Sequence, residues 1–205
     1  MMNVFTAKIA SLRHSAVFAK ATFRKVVPAE LTEKLFFLDF GVFPLLILLC
    51  LYLAFRSAEG VQTLQLAAIV VAGGLAWTFF EYVIHRFGFH HFPVLKPMHM
   101  AHHDDPRGLT GTPTLVTVAA MYLLAYMPVG FLAGDQTAAA WTAGIMAGYL
   151  VYVSVHYVVH HLGSGGSSTL RRLIRLHALH HHDDKHNFGV TSDFWDRVFG
   201  TRSTR

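Results

Sequence analysis

The chain has 205 residues, of which 53% are hydrophobic and only 14% charged, with a formal net charge of +5. Soluble domains average about 25% charged residues, so this balance excludes an ordinary soluble domain and points to lipid as a solvent, and the length suits a single domain. The one cysteine, Cys50, excludes an intrachain disulfide, a CxxC redox pair and a cysteine-rich zinc site.

Residues 1–34 come first. Lys8, Arg13, Lys20, Arg24 and Lys25 are interspersed with Phe5, Ile9, Leu12, Val17, Phe18 and Phe23, and no acid precedes Glu30. This predicts a basic amphipathic helix lying in the membrane interface. A mitochondrial transit peptide has a similar composition, whereas a secretory signal is excluded because no continuous apolar stretch precedes Leu35.

Four apolar runs then follow, at about Leu35–Phe55, Val61–Ile84, Thr114–Leu132 and Thr137–Val159. Each has roughly the 20 residues a helix needs to cross the hydrocarbon core. Gly73, Gly74, Gly144 and Gly148 would weaken soluble helices, but within a membrane they permit close packing. Gly144-x-x-x-Gly148 has the small-xxx-small spacing. Asp39, near the start of the first span, is expected to snorkel to the interface.

The connections Arg56–Gly60 and Ala133–Gln136 are too short to hold a site. The arm, the segment 85–113 and the tail from residue 160 therefore share the opposite face. Of 17 Lys and Arg residues, only Arg56 lies on the short-loop side. By the positive-inside rule the other face is cytoplasmic. This topology accounts for the basic charge without nucleic acid. The predicted fold is all-α, an integral-membrane four-helix bundle over residues 35–205 with a cytosolic histidine-rich helical cap built from 85–113 and 160–205.

Of 15 histidines, all but His14 fall between His85 and His103 or between His156 and His186. The two halves are loosely duplicated. The first reads His85-x4-His90-x8-His99-x2-His102-His103, the second His156-x3-His160-x16-His177-x2-His180-His181. Helical residues three and four apart share a face, so each HxxHH set projects together, as do His156 and His160. Membrane helices turn polar side chains toward the bundle interior or the interface, which places these imidazoles at one mouth of the bundle.

Five histidines per half match two metal ions with five ligands each. Imidazole suits zinc, copper, iron and nickel, but structural zinc takes four ligands, usually with cysteine. Glu81-x3-His85 lacks the Glu-x-x-His spacing of ferritin-like di-iron bundles, and no His-Glu-x-x-His protease signature occurs. A transporter would need ligands at the midplane, and the spans are almost free of ionisable residues. Nitrogen-only ligation beside a membrane points to oxygen activation on lipid rather than hydrolysis.

At these residues the chain resembles the fatty acid hydroxylase superfamily, the histidine-box membrane di-iron group that includes the sterol desaturases. The likeness runs from about Glu81 to Thr201 through His85-Arg-Phe-Gly-Phe-His90, His99-Met-Ala-His102-His103, His156-Tyr-Val-Val-His160-His161 and His177-Ala-Leu-His180-His181. The tail Asn187-Phe-Gly-Val-Thr-Ser-Asp-Phe-Trp-Asp-Arg-Val-Phe-Gly-Thr201 is similar to that of the fatty acid and sphingolipid 2-hydroxylases.

The resemblance implies two iron ions with O2 as co-substrate, and zinc is expected to replace them on purification because imidazole sites bind Zn²⁺ more tightly than Fe²⁺. Their ligands would be His85, His90, His99, His102, His103, His156, His160, His177, His180 and His181. It implies an oxygen-dependent hydroxylase of a lipid acyl chain at the 2-position. A desaturase or a carotenoid-ring hydroxylase of the same type is the alternative, and a metal transporter a distant one. No cytochrome b5-like segment precedes the spans, so electrons are expected from a separate cytochrome b5-like protein or a ferredoxin with its reductase. The acid that often follows the matching tyrosine is here Val153, after Tyr152.

His91, His161 and His182 are expected to orient or shield the ligands, and His14 to be interfacial. His186 could support the ligands or be solvated. Asp104, Asp105, Asp183 and Asp184 are read as ligand partners or solvated turn residues. Asn187, Trp195 and Asp196 are candidates to shape the pocket, while Phe194, Trp195 and Phe199 also read as the core of a small terminal domain.

Overall fold

The computed structural model describes residues 31–163 and 166–205. The expected interfacial arm and His14 fall outside the described residues, apart from Leu31–Lys34. Glu33 and Lys34 belong to the first span rather than to the arm.

The described residues form helices with no strand among them. α1 spans Glu33–Phe55, opened by Thr32, whose side chain accepts from the Leu35 amide. α2 runs over Val61–Phe89 and ends in a π-helical stretch, Ile84–Phe89. α3 is Lys96–Asp104. α4 covers Thr114–Ala133 with a π-helical stretch at Tyr122–Tyr126. α5 is Asp135–His161, α6 Ser168–His182 and α7 Phe194–Val198. α1, α2, α4 and α5 have the length and apolar composition to cross a membrane. Gly134, at φ 83°, alone separates α4 from α5, a backbone conformation L side chains rarely adopt.

α5 is the central helix. It packs along α2, α1 and α4, and its Ala138, Ala139, Ala140, Ala143 and Ile145 are buried. The expected glycine contact is present. A Cβ on Gly144 would overlap the Val70 carbonyl oxygen, and one on Gly148 would overlap Trp77, so both glycines let α5 lie directly against α2. Leu45, Leu48, Val71, Leu75 and Phe131 point outward and form a lipid-facing belt.

Two expectations are corrected. Asp39 does not snorkel. It is buried, and its two carboxylate oxygens accept from the Thr114 hydroxyl at 2.6 Å and the Tyr149 hydroxyl at 2.5 Å. A carboxylate two turns inside the span is stabilised by neighbouring donors rather than by reaching water. Phe194, Trp195 and Phe199 do not form a core of their own. Trp195 packs edge-on against Phe79 of α2 and donates to Thr78 at 3.0 Å, while Phe194 and Phe199 are exposed. The tail has too little surface for a separate core and uses α2 as its partner.

Candidate metal centre

The ten histidines come from four helices and the turn that follows α2. His85 sits in the π-helical end of α2, His90 just beyond it, and His99, His102 and His103 on α3. His156 and His160 end α5, and His177, His180 and His181 end α6. Helical spacing aims each set inward, and the bundle brings the sets together.

They converge as two groups. In the first, the Nε2 atoms of His85, His90, His99, His103 and His180 meet: His85–His99 3.1 Å, His90–His99 3.0 Å, His103–His99 3.1 Å and His90–His180 3.2 Å. In the second, the pairs are His102–His160 at 3.1 Å, His160–His177 at 2.8 Å and His177–His181 at 3.2 Å. Within each group the candidate donor atoms lie within 4.8 Å of one another. The His156 ring adjoins the second group, with its centroid 4.7 Å from that of His102 and 4.8 Å from that of His160.

So many imidazole nitrogens cannot satisfy one another, because each N–H···N contact uses one proton and the lone pairs still face inward. A bound cation would supply the missing partner. The donor set fits a metal that accepts neutral nitrogen ligands.

Protonation agrees. Burial, together with the positive charge each imidazole would impose on its neighbours, lowers His90 to about 4, His102 to about 2 and His180 and His181 to about 3. His99 and His177 are driven far below the usual range by the same causes. These shifts favour the neutral imidazole, the form that offers a nitrogen lone pair to a metal.

The residues around the groups come from the C-terminal tail. His85 Nδ1 lies 2.6 Å from the Phe188 carbonyl oxygen, and His180 Nδ1 lies 2.7 Å from that of His186. A ring that donates from Nδ1 presents an unprotonated Nε2, and the bond raises its basicity. Two buried carboxylates hold the loop carrying these carbonyls. Asp196 accepts from the amides of Phe188 (2.9 Å) and Gly189 (2.8 Å), and Glu81 from those of Val190 (2.6 Å) and Thr191 (2.8 Å). Four consecutive amides are thus bound by two acids. Asn187, at φ 58°, turns the chain into this clamp and accepts from the Ser203 amide at 2.9 Å.

Asp196 and Asn187 are legible from sequence as candidates to shape the pocket, whereas Glu81 enters there only through its spacing to His85. An ionisable residue inside an apolar span was the signal that it has a role. The neighbouring histidines divide: His91 and His182 are exposed, His161 stacks on Tyr157 at 4.4 Å, and His186 pairs with Asp183 at 2.8 Å. Of the four aspartates, Asp184 lies 3.9 Å from His90 Nδ1.

Below the histidines, between the spans, lies a largely apolar cavity of about 450 Å³. His99, His102 and His156 line its metal-facing end. Trp77, Phe80, Ile84, Leu124, Ile145 and Tyr149 line its membrane depth.

Residues 70–201 match the fatty acid hydroxylase family. The chain is 34% identical to the dihydroceramide fatty acyl 2-hydroxylase FAH2 of Arabidopsis thaliana over 74% of its own length and 68% of that protein's. It is 30% identical to the fatty acid 2-hydroxylase of Rattus norvegicus, over 65% of its own length and 39% of that protein's. The solved structure of full-length scs7p, in which only the hydroxylase domain is visible, superposes with a TM-score of 0.69 at 25% identity. That superposition covers 82% of this chain and 66% of the other.

Proposed function

The chain belongs to the fatty acid hydroxylase family, and from that premise we propose that it is an oxygen-dependent, membrane-embedded hydroxylase of a lipid acyl chain, acting at the 2-position of a fatty acid or sphingolipid. One observation carries this reading: two convergent sets of imidazole Nε2 atoms open onto an apolar cavity within the spans.

His85, His90, His99, His103 and His180 would hold one iron ion, and His102, His156, His160, His177 and His181 the other. When bound, the irons supply the redox chemistry by which O2, two electrons and two protons become one hydroxyl on the acyl chain and one water. The chain's own residues do the rest. Trp77, Ile145 and Leu124 hold the methylenes among the spans. The clamp of Glu81 and Asp196 fixes the loop whose carbonyls orient His85 and His180. Leu95, Met98 and Thr110–Thr112 cover the cap end of the cavity and exclude water from it.

The position of attack follows from where the space is. The cavity lies on the membrane side of the histidines, so the acyl tail lies among the spans and the carbonyl end reaches the metals. Carbon 2 is then the nearest C–H. A mid-chain desaturase would need room for many methylenes beyond the metals, and the short cap segments 90–113 and 162–205 leave little for it.

Among the described residues, every Lys and Arg except Arg56 lies toward the histidine side of the spans, and by the positive-inside rule this supports a cytoplasmic orientation for that face. In this reading the electrons come from a cytochrome b5-like or ferredoxin-type donor on that side.

The test is reconstitution with iron, a reductase system and either dihydroceramide or free fatty acid, with mass spectrometry of the product. One oxygen gained beside the carbonyl is expected. Loss of two hydrogens from mid-chain, or a hydroxyl at the methyl end, would overturn the reading.

A further inference from the structure

The cavity beneath the histidines reaches the gap between α2 and α4. α2 and α4 each pack on α5 but make almost no contact with each other, and both line the cavity. Two stripes face across this gap. Phe80 and Ile84 are four residues apart on α2, and Val116, Ala120 and Leu124 are spaced by four on α4, so each set shares one helix face.

All five residues line the cavity and are also reachable from outside. Phe80 and Ile84 are 39% and 38% exposed and Leu124 is 79% exposed, with Val116 and Ala120 half-buried. A side chain that touches both cavity and exterior marks a rim. At this depth the exterior is hydrocarbon, because the rim continues into the lipid-facing belt that includes Leu75 of α2 and Leu123 of α4.

Both walls break regular helix here. Ile84 begins the π-helical stretch of α2, and Leu124 is at the centre of that of α4. A π turn inserts an extra residue and is found mostly at functional sites. It turns the following side chains about the helix axis, so the two walls do not zip together as α2 and α5 do.

We infer that the gap between α2 and α4 is a lateral portal through which the acyl chain of a bilayer lipid enters the cavity, with Phe80, Ile84, Ala120 and Leu124 as its rim. This rests on the acyl-hydroxylase reading above and adds the route. The lipid moves sideways from its own leaflet and never crosses water, so its tail stays solvated by hydrocarbon throughout. The cap end of the cavity, covered by Leu95, Met98 and Thr110–Thr112, is not the entrance.

The experiment places one thiol on the rim. Cys50 is the only cysteine, so Ala120→Cys in a Cys50→Ser background offers a single site. The metal-loaded protein is put in nanodiscs containing a ceramide with a diazirine on its acyl chain. Benzyl methanethiosulfonate adds a ring to Cys at 120, and dithiothreitol removes it. Photolabelling of the cavity-lining segment Tyr149–His156 is expected to fall at least tenfold on benzylation and to return on reduction, with metal content unchanged. Leu124→Trp supplies a second, irreversible block with the same expected loss.

Undiminished labelling after both blocks would overturn the portal, as would a label concentrated on the cap loop Phe92–Leu95. The unmodified protein separates the two readings. If it takes no label in the cavity, the lipid reading itself fails. If the label enters whatever the block, only the portal fails.

Discussion

Replacing Asp196 with asparagine tests whether the tail is part of the metal centre or merely packs beside it. Asp196 is fully buried, and its carboxylate accepts from the Phe188 amide, the Gly189 amide and the Thr201 hydroxyl at 2.9, 2.8 and 2.7 Å. Asparagine keeps the shape but offers one acceptor oxygen, and its NH2 group faces a donor instead. At least one backbone amide loses its acceptor while buried, and the charge that strengthened the other bonds is gone. At about 1–3 kcal/mol for each unsatisfied buried donor, and two such changes, the clamp weakens by roughly 2–6 kcal/mol. That is large for one loop and small enough for the four-span bundle to survive, since the bundle is held by apolar packing elsewhere.

The consequence passes through the Phe188 carbonyl to His85 Nδ1. Losing such a partner typically costs about 10–100-fold in metal affinity. Zinc titration of the detergent-purified protein against a competing chelator reads this directly, with helical content by circular dichroism as the control. The Asp196→Asn protein should bind one of two zinc ions at least tenfold more weakly and the other nearly as before. Wild-type affinity at both sites would refute the argument that the tail orients the ligands.

Three further outcomes are expected. First, chelation should remove the two metals unequally. His85 and His180 have carbonyl partners, whereas the Nδ1 atoms of His102, His177 and His181 are buried without a protein partner among the described residues. The second group should empty first, and His181→Ala should abolish that early step in a stepwise chelator titration while the later one persists. Second, Gly144→Leu should destabilise by well over the ~1–3 kcal/mol usual for overpacking, because even its Cβ meets backbone of α2. A detergent melting curve unchanged by this substitution would contradict the close α2–α5 packing. Third, acid should destabilise the metal-free protein. The folded-state values of His90, His180 and His181, at about 4, 3 and 3, lie below the ordinary 6.5. The unfolded chain therefore takes up protons first, and stability falls as pH drops from about 6.5 toward 4. Thermal melts at pH 7.5, 6 and 5 check the sign, and a melting temperature that rises on acidification would refute it.

What the sequence discloses and what it hides divide along a physical line. The four spans were legible because a hydrocarbon core demands a run of about 20 apolar residues, and their ends came out within a few residues of the helices observed. The cage was legible because helical periodicity fixes which histidines share a face. His99, His102 and His103 had to project together whatever lay around them. Which ring joins which group was not legible. His102 and His103 are adjacent in sequence, yet each meets a different group, because successive residues on a helix point about 100° apart and the two groups sit side by side. The partner helix decides the division, and no local pattern encodes it.

The clamp was hidden for a related reason. Glu81 and Thr191 are 110 positions apart, and Tyr82 meets Thr201 across 119. In one dimension, Glu81 is an acid in an apolar run and Asp196 an acid in a polar tail. Only folding of the tail onto α2 turns them into acceptors for four successive amides. The same contact explains why the tail's apolar residues form no core of their own. Its sequence is constrained by bonds to α2 and to the histidine-bearing loop, and replacing any one of Asn187, Gly189 or Asp196 disturbs the carbonyls that aim His85 and His180. Gly189 shows how tight the constraint is, since a Cβ there would overlap the Ser192 carbonyl and press on the Asp196 carboxylate. The tail is thus a component of the candidate metal centre held outside it, acting through backbone carbonyls that no list of side chains would name.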